Sequence, residues 1–256
     1  MQGTEPQAGA AHESPSLASF VDLAAAPRHV FVNGDGNRRW ARISGRSVLD
    51  GYRRGFGRIE EIARWCSEVG TSSLSWGVLS TFNVARRPAS EIQVVHQATA
   101  EVLERLAQDG AWKIRHVGFR PYCDESVLAA LDKAVDATRE APGLTLNVMY
   151  GYNGDEEVAH AVRELVRDLQ AVAAGQPVDE SSITAEAISR RLFMYGQPDI
   201  DLMIRTGGDQ RLSHVPPWHI ASTEFHFCPT LFPDFTKADF LHALWAYEKR
   251  TRRMSG

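Results

Sequence analysis

The stretch His29–Trp40, HVFVNGDGNRRW, joins a short apolar run to a cluster of glycines, amides, one acid and two arginines. The run His29–Val32 is short and rich in β-branched and aromatic residues, which is typical of a buried strand in a parallel sheet. A helical pattern follows from about Val48. The polar cluster is therefore predicted to be the loop at the carboxyl end of a first strand, where open α/β sheets bind ligands.

The residue types in this loop suit an anionic ligand held together with a metal ion. Glycines let the backbone approach phosphate oxygens closely, and Arg38 and Arg39 offer planar forks of donors that fit phosphate. Asp35 supplies a hard oxygen ligand for Mg²⁺, which usually takes one or two carboxylates together with substrate phosphates and water. The alternative is an ordinary solvated turn, because Asn-Gly and Asp-Gly are common turn dipeptides.

A second cluster of the same chemistry, Arg205–Ser213 (RTGGDQRLS), follows a later predicted strand. The alternative here is a basic turn paired with Asp209 or Asp201. Two strand-end loops of one chemistry would share an edge of a parallel sheet, which favours phosphate binding by both. We call residues 34–40 the first cradle and residues 205–213 the second cradle. Two cradles suggest two phosphorylated substrates or one long one.

Strand and helix patterns alternate along the chain, which predicts an α/β fold with one mostly parallel sheet flanked by helices. The predicted flexible arm, residues 1–27, is rich in Ala, Ser, Pro, Gly and Glu, and residues 28–256 form the predicted catalytic domain. Strands are predicted at 29–32, 73–80, 112–117, 144–150, 201–205 and 224–227. Helices are predicted at 50–69, 90–107, 125–139, 155–173, 184–193 and 237–253.

Composition excludes several classes of protein. The chain has 256 residues, 43% hydrophobic and 23% charged, which suits one large globular domain. Its net charge of −4 argues against a nucleic-acid partner. The three cysteines lie far apart, which suggests neither a disulfide framework nor a metal site and suits the cytoplasm. No apolar run has the length of a membrane span and no signal peptide is evident.

Three motifs carry a family resemblance. Asp-Gly-Asn-x-Arg-Trp in the first cradle, Ser-Thr-x-Asn with a following Arg-Pro after the second predicted strand, and Arg-Thr-Gly-Gly-x-x-Arg-x-Ser in the second cradle resemble the cis-prenyltransferases, of which undecaprenyl diphosphate synthase is the familiar member. Trp218, Glu224 and Leu231–Phe235 extend the match, which covers about residues 29 to 253. The resemblance implies a homodimeric α/β enzyme that uses Mg²⁺ and isoprenoid diphosphates.

The resemblance also implies a role for each matched residue. Asp35 would bind Mg²⁺ and promote loss of diphosphate from an allylic substrate, Asn83 would orient the reacting centre or accept a proton, and Glu224 would complete the metal site. Gly36, Asn37, Arg38, Arg39 and Trp40 would hold the allylic diphosphate, and Arg205, Arg211 and Ser213 the second one. Tyr52, Ser80, Arg87 and Trp76 are further predicted substrate contacts, with Trp76 in the floor of the hydrocarbon tunnel.

The chain departs from the family pattern at several positions. Tyr52 stands where histidine is usual, Val48 replaces an arginine, and Asp209 replaces a glutamate. The usual Ser-x-Glu-Asn-Trp is Ser-Thr-Phe-Asn-Val at residues 80–84. The segment Asp50–Tyr52 and the doubled arginine instead look like the irregular branch of lavandulyl and isosesquilavandulyl diphosphate synthases, which join two allylic diphosphates head-to-middle.

The predicted function is accordingly the condensation of dimethylallyl diphosphate with an allylic donor, such as dimethylallyl or geranyl diphosphate, to a short branched diphosphate. A first alternative is a regular short-chain cis-prenyltransferase that adds isopentenyl diphosphate head-to-tail to an allylic primer. A second alternative is a non-catalytic partner subunit. The presence of Asp35, Asn37 and Arg39 together argues against that second alternative.

Overall fold

The computed structural model describes residues 22–173, 176–213 and 215–254, with side chains described as far as residue 250. Most of the predicted arm therefore lies outside the described residues. The strands are β1 His29–Asn33, β2 Ser73–Ser80, β3 Lys113–Val117, β4 Thr145–Tyr152, β5 Leu202–Arg205 and β6 Glu224–Phe227. The helices are α1 Asn37–Ile43, α2 Val48–Glu68, α3 Thr81–Arg86, α4 Ala89–Asp109, α5 Glu125–Ala137, α6 Gly154–Ala173, α7 Ala185–Ser189 and α8 Lys237–Met254.

The strands form one parallel sheet in the order β3-β4-β2-β1-β5-β6, which confirms the predicted fold class. The order reverses at β1, since β2 lies on one side of it and β5 on the other. Asn33 at the end of β1 pairs with Gly77 of β2 and with Arg205 of β5. The loops after these strands therefore meet at the topological switch point, where α/β sheets place their ligand crevice.

Each face of the sheet buries its own apolar cluster. One cluster contains Trp76 of β2 and packs it with the inward faces of α2, α4 and α5. The other cluster contains Phe31, Met149, Tyr152, Met203 and Val215. Side chains alternate along a strand, so Val30 and Val32 of β1 belong to the first cluster and Phe31 between them to the second. Among the described residues, no helix combines the length and the apolar character needed to cross a membrane.

Two short helices lie where the sequence predicts loops. α1 begins inside the first cradle, at Asn37, after Gly36 adopts a φ of 108° that favours glycine. α3 begins directly after β2, and the Ser80 hydroxyl caps it by accepting a hydrogen bond from the Asn83 backbone N–H at 3.1 Å. Both helices are too short to show a periodic pattern, and their polar, glycine-containing starts resemble turns. α7 is also shorter than predicted.

Glycines bring α2 unusually close to the first cradle. A Cβ at Gly51 would lie 2.4 Å from the Asn37 carbonyl oxygen, and a Cβ at Gly55 would lie 1.9 Å from Asn37 Oδ1. Only glycine allows that approach at either position. Ser47 and Asp50 form a capping box at the start of the helix. α2 is thereby held against the start of α1.

Candidate active site

A cavity of about 590 Å³ opens at the carboxyl edge of the sheet. It is lined by most of the predicted site residues, which come from three separate strand-end segments and, for Tyr52, from α2. These are Asp35, Gly36, Asn37, Arg38, Arg39, Tyr52, Ser80, Asn83, Arg87, Arg205, Arg211 and Ser213. The structure thus brings both predicted cradles to a single cavity.

The first cradle is fastened to the second by hydrogen bonds between their backbones and side chains. The Asp35 backbone N–H donates to Thr206 Oγ1 at 2.9 Å, and the Thr206 hydroxyl donates back to the Asp35 carbonyl at 2.8 Å. Arg39 Nη2 donates to the Gly207 carbonyl at 2.6 Å. A Cβ at Gly207 would lie only 2.7 Å from Arg39 Nη2, and its φ of 84° also favours glycine. The glycine of the second cradle therefore makes room for the arginine of the first.

Arg205, the first residue of the second cradle, contacts Asp35 of the first cradle. It is almost fully buried, with 3% of its side chain exposed. Its Nη2 lies 3.1 Å from Asp35 Oδ2 and 3.6 Å from Asp209 Oδ2. Its Nη1 donates to the Ser213 hydroxyl at 2.9 Å and to the Arg211 carbonyl. A buried guanidinium needs such partners, because an unpaired buried charge is costly. Arg205 therefore fixes the shape of the second cradle and the position of Asp35.

Two buried polar atoms at the cavity have no hydrogen-bond partner among the described residues, Asn37 Oδ1 and Arg205 Nε. The Asn37 amide nitrogen does have one, since it donates to the Gly34 carbonyl at 3.1 Å. Most buried polar atoms in proteins are paired with protein or water, so unpaired ones call for an explanation. Both atoms are shielded from solvent, and Asn37 Oδ1 faces Gly55 of α2, so they are part of the packing that supports the cavity wall.

On the opposite side of the cavity, two more arginines are held by one carboxylate. Arg38 Nη1 donates to Glu91 Oε2 at 3.0 Å, and Arg87 Nη1 lies 3.1 Å from Glu91 Oε1. Arg87 Nη1 also donates to the Tyr52 hydroxyl at 2.9 Å. Burial raises the pKa of Tyr52, and the charge of Arg87 partly offsets that effect. Tyr52 therefore stays protonated and acts here as an acceptor that orients Arg87.

The sequence analysis does not name Glu91 or the apolar side chains that line the cavity. The apolar wall includes Phe31, Phe56, Val78, Leu79, Phe82, Met149 and Tyr152. Some of these side chains could have been found by the same strand-end argument that found the cradles, since Tyr152 is the last residue of β4. Phe56 had no such signal, because it lies within α2 and reaches the cavity only through helix packing.

Three predicted site residues lie away from the cavity. Trp40 is stacked under the Arg54 guanidinium, 5.1 Å from ring centroid to Cζ. Trp76 is fully buried and packs edge-to-face on Phe56, with ring centroids 4.9 Å apart. Trp76 thus lies one layer behind the cavity wall instead of forming its floor, since the part of β2 that lines the cavity is 77–80, nearer the end of the strand.

Glu224 is the third of these residues. It begins β6 at the amino end of the sheet, level with Leu202, and its carboxylate accepts a hydrogen bond from Arg250 Nη1 at 2.9 Å. The cavity lies at the carboxyl end. Within one chain, Glu224 therefore does not meet Asp35, and the predicted two-carboxylate metal site is not formed. The sequence did contain an indication of this position, because Glu224 begins the strand predicted at 224–227, and the first residue of a parallel strand lies at the amino end of the sheet.

Asp35 by itself fits a magnesium ion that is completed by substrate. Its carboxylate faces the cavity and is 37% exposed. Oδ1 accepts from the Gly36 backbone N–H at 2.7 Å and Oδ2 from Arg205, but each oxygen has a further lone pair for a cation. Within the described ranges, no three His, Cys, Asp or Glu side chains gather to form a complete metal site. Such a donor set suits Mg²⁺, which binds few carboxylates and takes phosphate oxygens.

The lining of the cavity combines several arginines with aromatic and aliphatic side chains. Polyanionic groups suit the arginines, and hydrocarbon suits the apolar wall. A molecule with a phosphate-rich head and a hydrocarbon tail would match both parts. The arrangement can stabilise negative charge that develops on such a head when its bond to the tail breaks.

Several known proteins are similar to this chain in sequence or in fold. The family described as "Putative undecaprenyl diphosphate synthase" matches residues 34–255. A (2Z,6E)-farnesyl diphosphate synthase of Thermobifida fusca is 40% identical over 238 residues, 93% of each chain. A short-chain Z-isoprenyl diphosphate synthase of Mycobacterium leprae is 40% identical over 89% of this chain and 87% of its own length.

Among solved structures, lavandulyl diphosphate synthase from Lavandula x intermedia, in complex with dimethylallyl diphosphate, superposes with a TM-score of 0.82. It is 26% identical and covers 88% of this chain and 96% of its own. The family match spans most of the chain and includes both cradles that line the cavity. This protein is therefore a member of the cis-prenyltransferase family of prenyl-transferring enzymes.

Proposed function

We propose that the protein is a regular short-chain cis-prenyltransferase, which adds isopentenyl diphosphate head-to-tail to an allylic diphosphate. The observation that carries this proposal is the cavity, which is lined by two arginine-containing cradles and by apolar side chains. The choice of the regular reaction rests on relatives 40% identical that are named as farnesyl and short-chain Z-isoprenyl diphosphate synthases. This reverses the preference of the sequence analysis, which put the irregular reaction first.

In the proposed reaction the allylic diphosphate binds in the first cradle. Breaking its carbon–oxygen bond leaves negative charge on the departing diphosphate, and Arg38 and Arg39 would stabilise that charge. Mg²⁺ held by Asp35 and diphosphate oxygens would add further positive charge there. Arg205, fixed between Asp35 and Asp209, lies close enough to both cradles to bring the two substrates together.

The second cradle would hold isopentenyl diphosphate through Arg205, Arg211 and Ser213. The double bond of this acceptor forms the new carbon–carbon bond to the allylic carbon, and the acceptor then loses a proton. Asn83 lines the cavity at the start of α3. Because an amide is a very weak base, Asn83 orients the reacting centre, and the proton passes to a phosphate oxygen.

A second candidate is the irregular, head-to-middle condensation of two allylic diphosphates. It is favoured by the structural likeness to a lavandulyl diphosphate synthase bound to dimethylallyl diphosphate. It is also favoured by Tyr52, which replaces the usual histidine and orients Arg87. The relatives in sequence outweigh these two observations, because they are more similar to the chain.

We further propose that the enzyme uses Mg²⁺, acts as a homodimer and works in the cytoplasm. The donor set around Asp35 supports the metal, and the family resemblance supports the dimer. All three cysteines are free thiols, and Cys66 and Cys228 are buried, which suits a reducing compartment.

The deciding experiment is product analysis with matched substrate sets. The protein and Mg²⁺ are incubated with isopentenyl diphosphate plus dimethylallyl or geranyl diphosphate, and separately with each allylic diphosphate alone. Linear products that require isopentenyl diphosphate support the proposal, and branched products from allylic diphosphates alone support the second candidate. A folded, dimeric protein that consumes none of these substrates would instead be a non-catalytic subunit.

A further inference from the structure

Tyr152 is an apolar wall residue whose hydroxyl is anchored behind the cavity. It ends β4, lines the cavity and is 2% exposed. Its hydroxyl donates to Glu157 Oε2 at 2.5 Å, and Glu157 Oε1 accepts from the Phe193 backbone N–H at 2.8 Å. Both oxygens of this carboxylate are therefore used to hold other groups in place.

Glu157 is an unusual residue to find in that position. It lies in the first turns of α6 and is 1% exposed. Burial raises its pKa, and the hydrogen bonds from Tyr152 and the Phe193 backbone oppose that shift. Burying a carboxyl costs free energy unless hydrogen bonds compensate it. The proposed chemistry does not use this carboxyl, so its evident effect is to fix the ring of Tyr152.

The position of Tyr152 relates it to the second cradle. Tyr152 belongs to the same apolar cluster as Val215 and Met203, which lie two residues beyond Ser213 and two residues before Arg205. The turn after β4 also touches this segment, because a Cβ at Gly154 would lie 2.3 Å from the Val215 carbonyl oxygen. The ring of Tyr152 therefore lies on the face of the sheet that supports the second cradle.

The other face supports the first cradle in the same way. Phe56 lines the cavity from α2 and belongs to the cluster that contains Trp76. α2 packs directly on Asn37 of the first cradle through Gly51 and Gly55. Phe56 and Tyr152 therefore line the cavity from clusters on opposite faces of the sheet.

We infer that Tyr152, held in place by Glu157, limits the hydrocarbon size of the substrate bound by the second cradle. Under the proposed function, on which this inference rests, that substrate is the five-carbon acceptor isopentenyl diphosphate. Tyr152 is then a specificity residue that contacts substrate, and Glu157 is a positioning residue that acts through it. A ring fixed by a buried hydrogen bond rejects a larger acceptor because it cannot move aside without breaking that bond.

The test compares isopentenyl diphosphate with its homologue 3-propylbut-3-enyl diphosphate, which carries a longer alkyl group. The ratio of kcat/KM for the two acceptors is measured at saturating geranyl diphosphate. We expect Tyr152→Leu to improve relative use of the homologue about tenfold or more, a typical effect of changing a hydrocarbon pocket by one or two methylenes. Tyr152→Phe should give a smaller gain, because the ring remains but its tether is lost.

Glu157→Gln and Phe56→Leu are the controls. The glutamine amide can still hydrogen-bond the Tyr152 hydroxyl, so Glu157→Gln should keep the parent ratio, whereas Glu157→Ala should resemble Tyr152→Phe. Phe56→Leu alters the cavity lining on the other face of the sheet and should change the preferred allylic donor without changing the acceptor ratio. Loss of stability alone would lower the use of both acceptors equally. An unchanged ratio in folded Tyr152→Leu would overturn the inference.

A binding measurement separates this inference from the proposed function. Isothermal titration of each acceptor into the parent and into Tyr152→Leu needs no turnover. If the parent makes no product from isopentenyl diphosphate, the proposed function fails, and the titrations still test the wall. Weaker binding of the homologue by the parent than by Tyr152→Leu supports the inference, and equal binding by both overturns it.

Discussion

The two ends of the parallel sheet both contain buried polar side chains, and the cavity described above opens at the carboxyl end. At the amino end, His29, Ser73, Ser75, Asn147 and Gln197 form a network that we call the amino-end network. All but Gln197 are fully buried or nearly so. At the carboxyl end, arginines, amides and aspartates surround the cavity. The two polar clusters therefore differ in their surroundings, because one is packed inside the protein and the other surrounds a cavity.

The amino-end network satisfies its members internally. His29 Nδ1 bonds the Pro198 carbonyl and Nε2 bonds the Ser75 hydroxyl, both at 2.8 Å. The Asn147 and Gln197 amides exchange two hydrogen bonds of 2.8 Å each, and the Ser73 hydroxyl donates to Gln197 at 2.6 Å. A network satisfied in this way rigidifies the protein and leaves no group for a ligand.

The carboxyl end differs because several of its polar side chains line an open cavity, among them Asp35, Arg39 and Arg211. These groups are held in place but face the cavity, as Asp35 does. The comparison teaches that burial of a polar residue does not by itself indicate a site. The useful indication is a set of polar groups that neighbours hold in position and that still line an open cavity.

The largest expected effect comes from Trp76, which lies between the two ends and behind the apolar wall. Trp76→Ala should lower the free energy of unfolding by ~3–5 kcal/mol, since it removes a fully buried indole. It should also let Phe56 move back and admit longer allylic donors such as farnesyl diphosphate. Denaturant unfolding and product profiles with donors of increasing length measure the two effects.

Leu74→Ala is the matched control for Trp76. Leu74 is also fully buried and lies on the same face of β2, two residues nearer the amino end. It should cost stability and leave the donor range unchanged. If folded Trp76→Ala keeps the parent donor range, another residue sets the chain length. Long polyprenyl products from the parent would contradict the short-chain assignment.

The amino-end network should affect stability in a pH-dependent way and leave catalysis alone. Burial lowers the pKa of His29 to about 4 from a usual value of 6.5. The unfolded chain therefore binds a proton between these pH values that the folded protein does not. The contribution of His29 to the free energy of unfolding should be complete above pH 6.5. It should decline as the pH falls toward 4, by about 3 kcal/mol in total.

Denaturant unfolding of the parent and of His29→Gln between pH 4 and 7 tests this prediction. The variant lacks the titrating ring, so its stability should fall less steeply over that range. KM values at pH 7 should match those of the parent, because His29 is remote from the cavity. Parallel stability curves for the two proteins would show that His29 is not the titrating group.

Replacing an aspartate at each end of the sheet should affect different properties of the enzyme. Asp35→Ala should lower kcat on the order of 100-fold or more, because it removes a group that stabilises the departing diphosphate together with Mg²⁺. Asp201, at the amino end, accepts from the backbone N–H groups of Arg28 and His29 at 2.7 and 3.0 Å. Asp201→Ala should therefore reduce stability and leave kcat near the parent value. Near-normal turnover by Asp35→Ala, or by the parent with a chelator present, would refute the role of Asp35.

The smallest expected effects distinguish the two cradles from each other. Arg39→Ala and Arg211→Ala should each raise KM about tenfold or more, the first for the allylic donor and the second for the acceptor. A charge-assisted hydrogen bond to phosphate is worth that much or more. KM for each substrate is measured while the other substrate is saturating, and the values for each variant are compared with those of the parent. If both variants weaken the same substrate equally, the two cradles do not bind separate diphosphates.

Much of the site could be predicted from the sequence because its chemistry is local. Each cradle is a continuous segment directly after a strand, and strands of a parallel sheet deliver such segments to one edge. Alternation of side chains predicts that Leu74, Trp76 and Val78 share one face of β2, and all three do pack in one cluster. How far along that face the cavity extends was not predictable. That depth depends on α2, which puts Phe56 between Trp76 and the cavity.

The amino-acid sequence alone therefore settled the fold class and the two strand-end clusters, since both follow from local periodicity and from residue types within a few positions. Tertiary structure decided which of those side chains share a cavity. Glu91 joins Arg38 to Arg87, and Glu157 anchors Tyr152, through contacts that depend on strand register and helix packing. The same packing excludes Glu224 from the cavity, because strand order and direction, which no motif records, place it at the other end of the sheet.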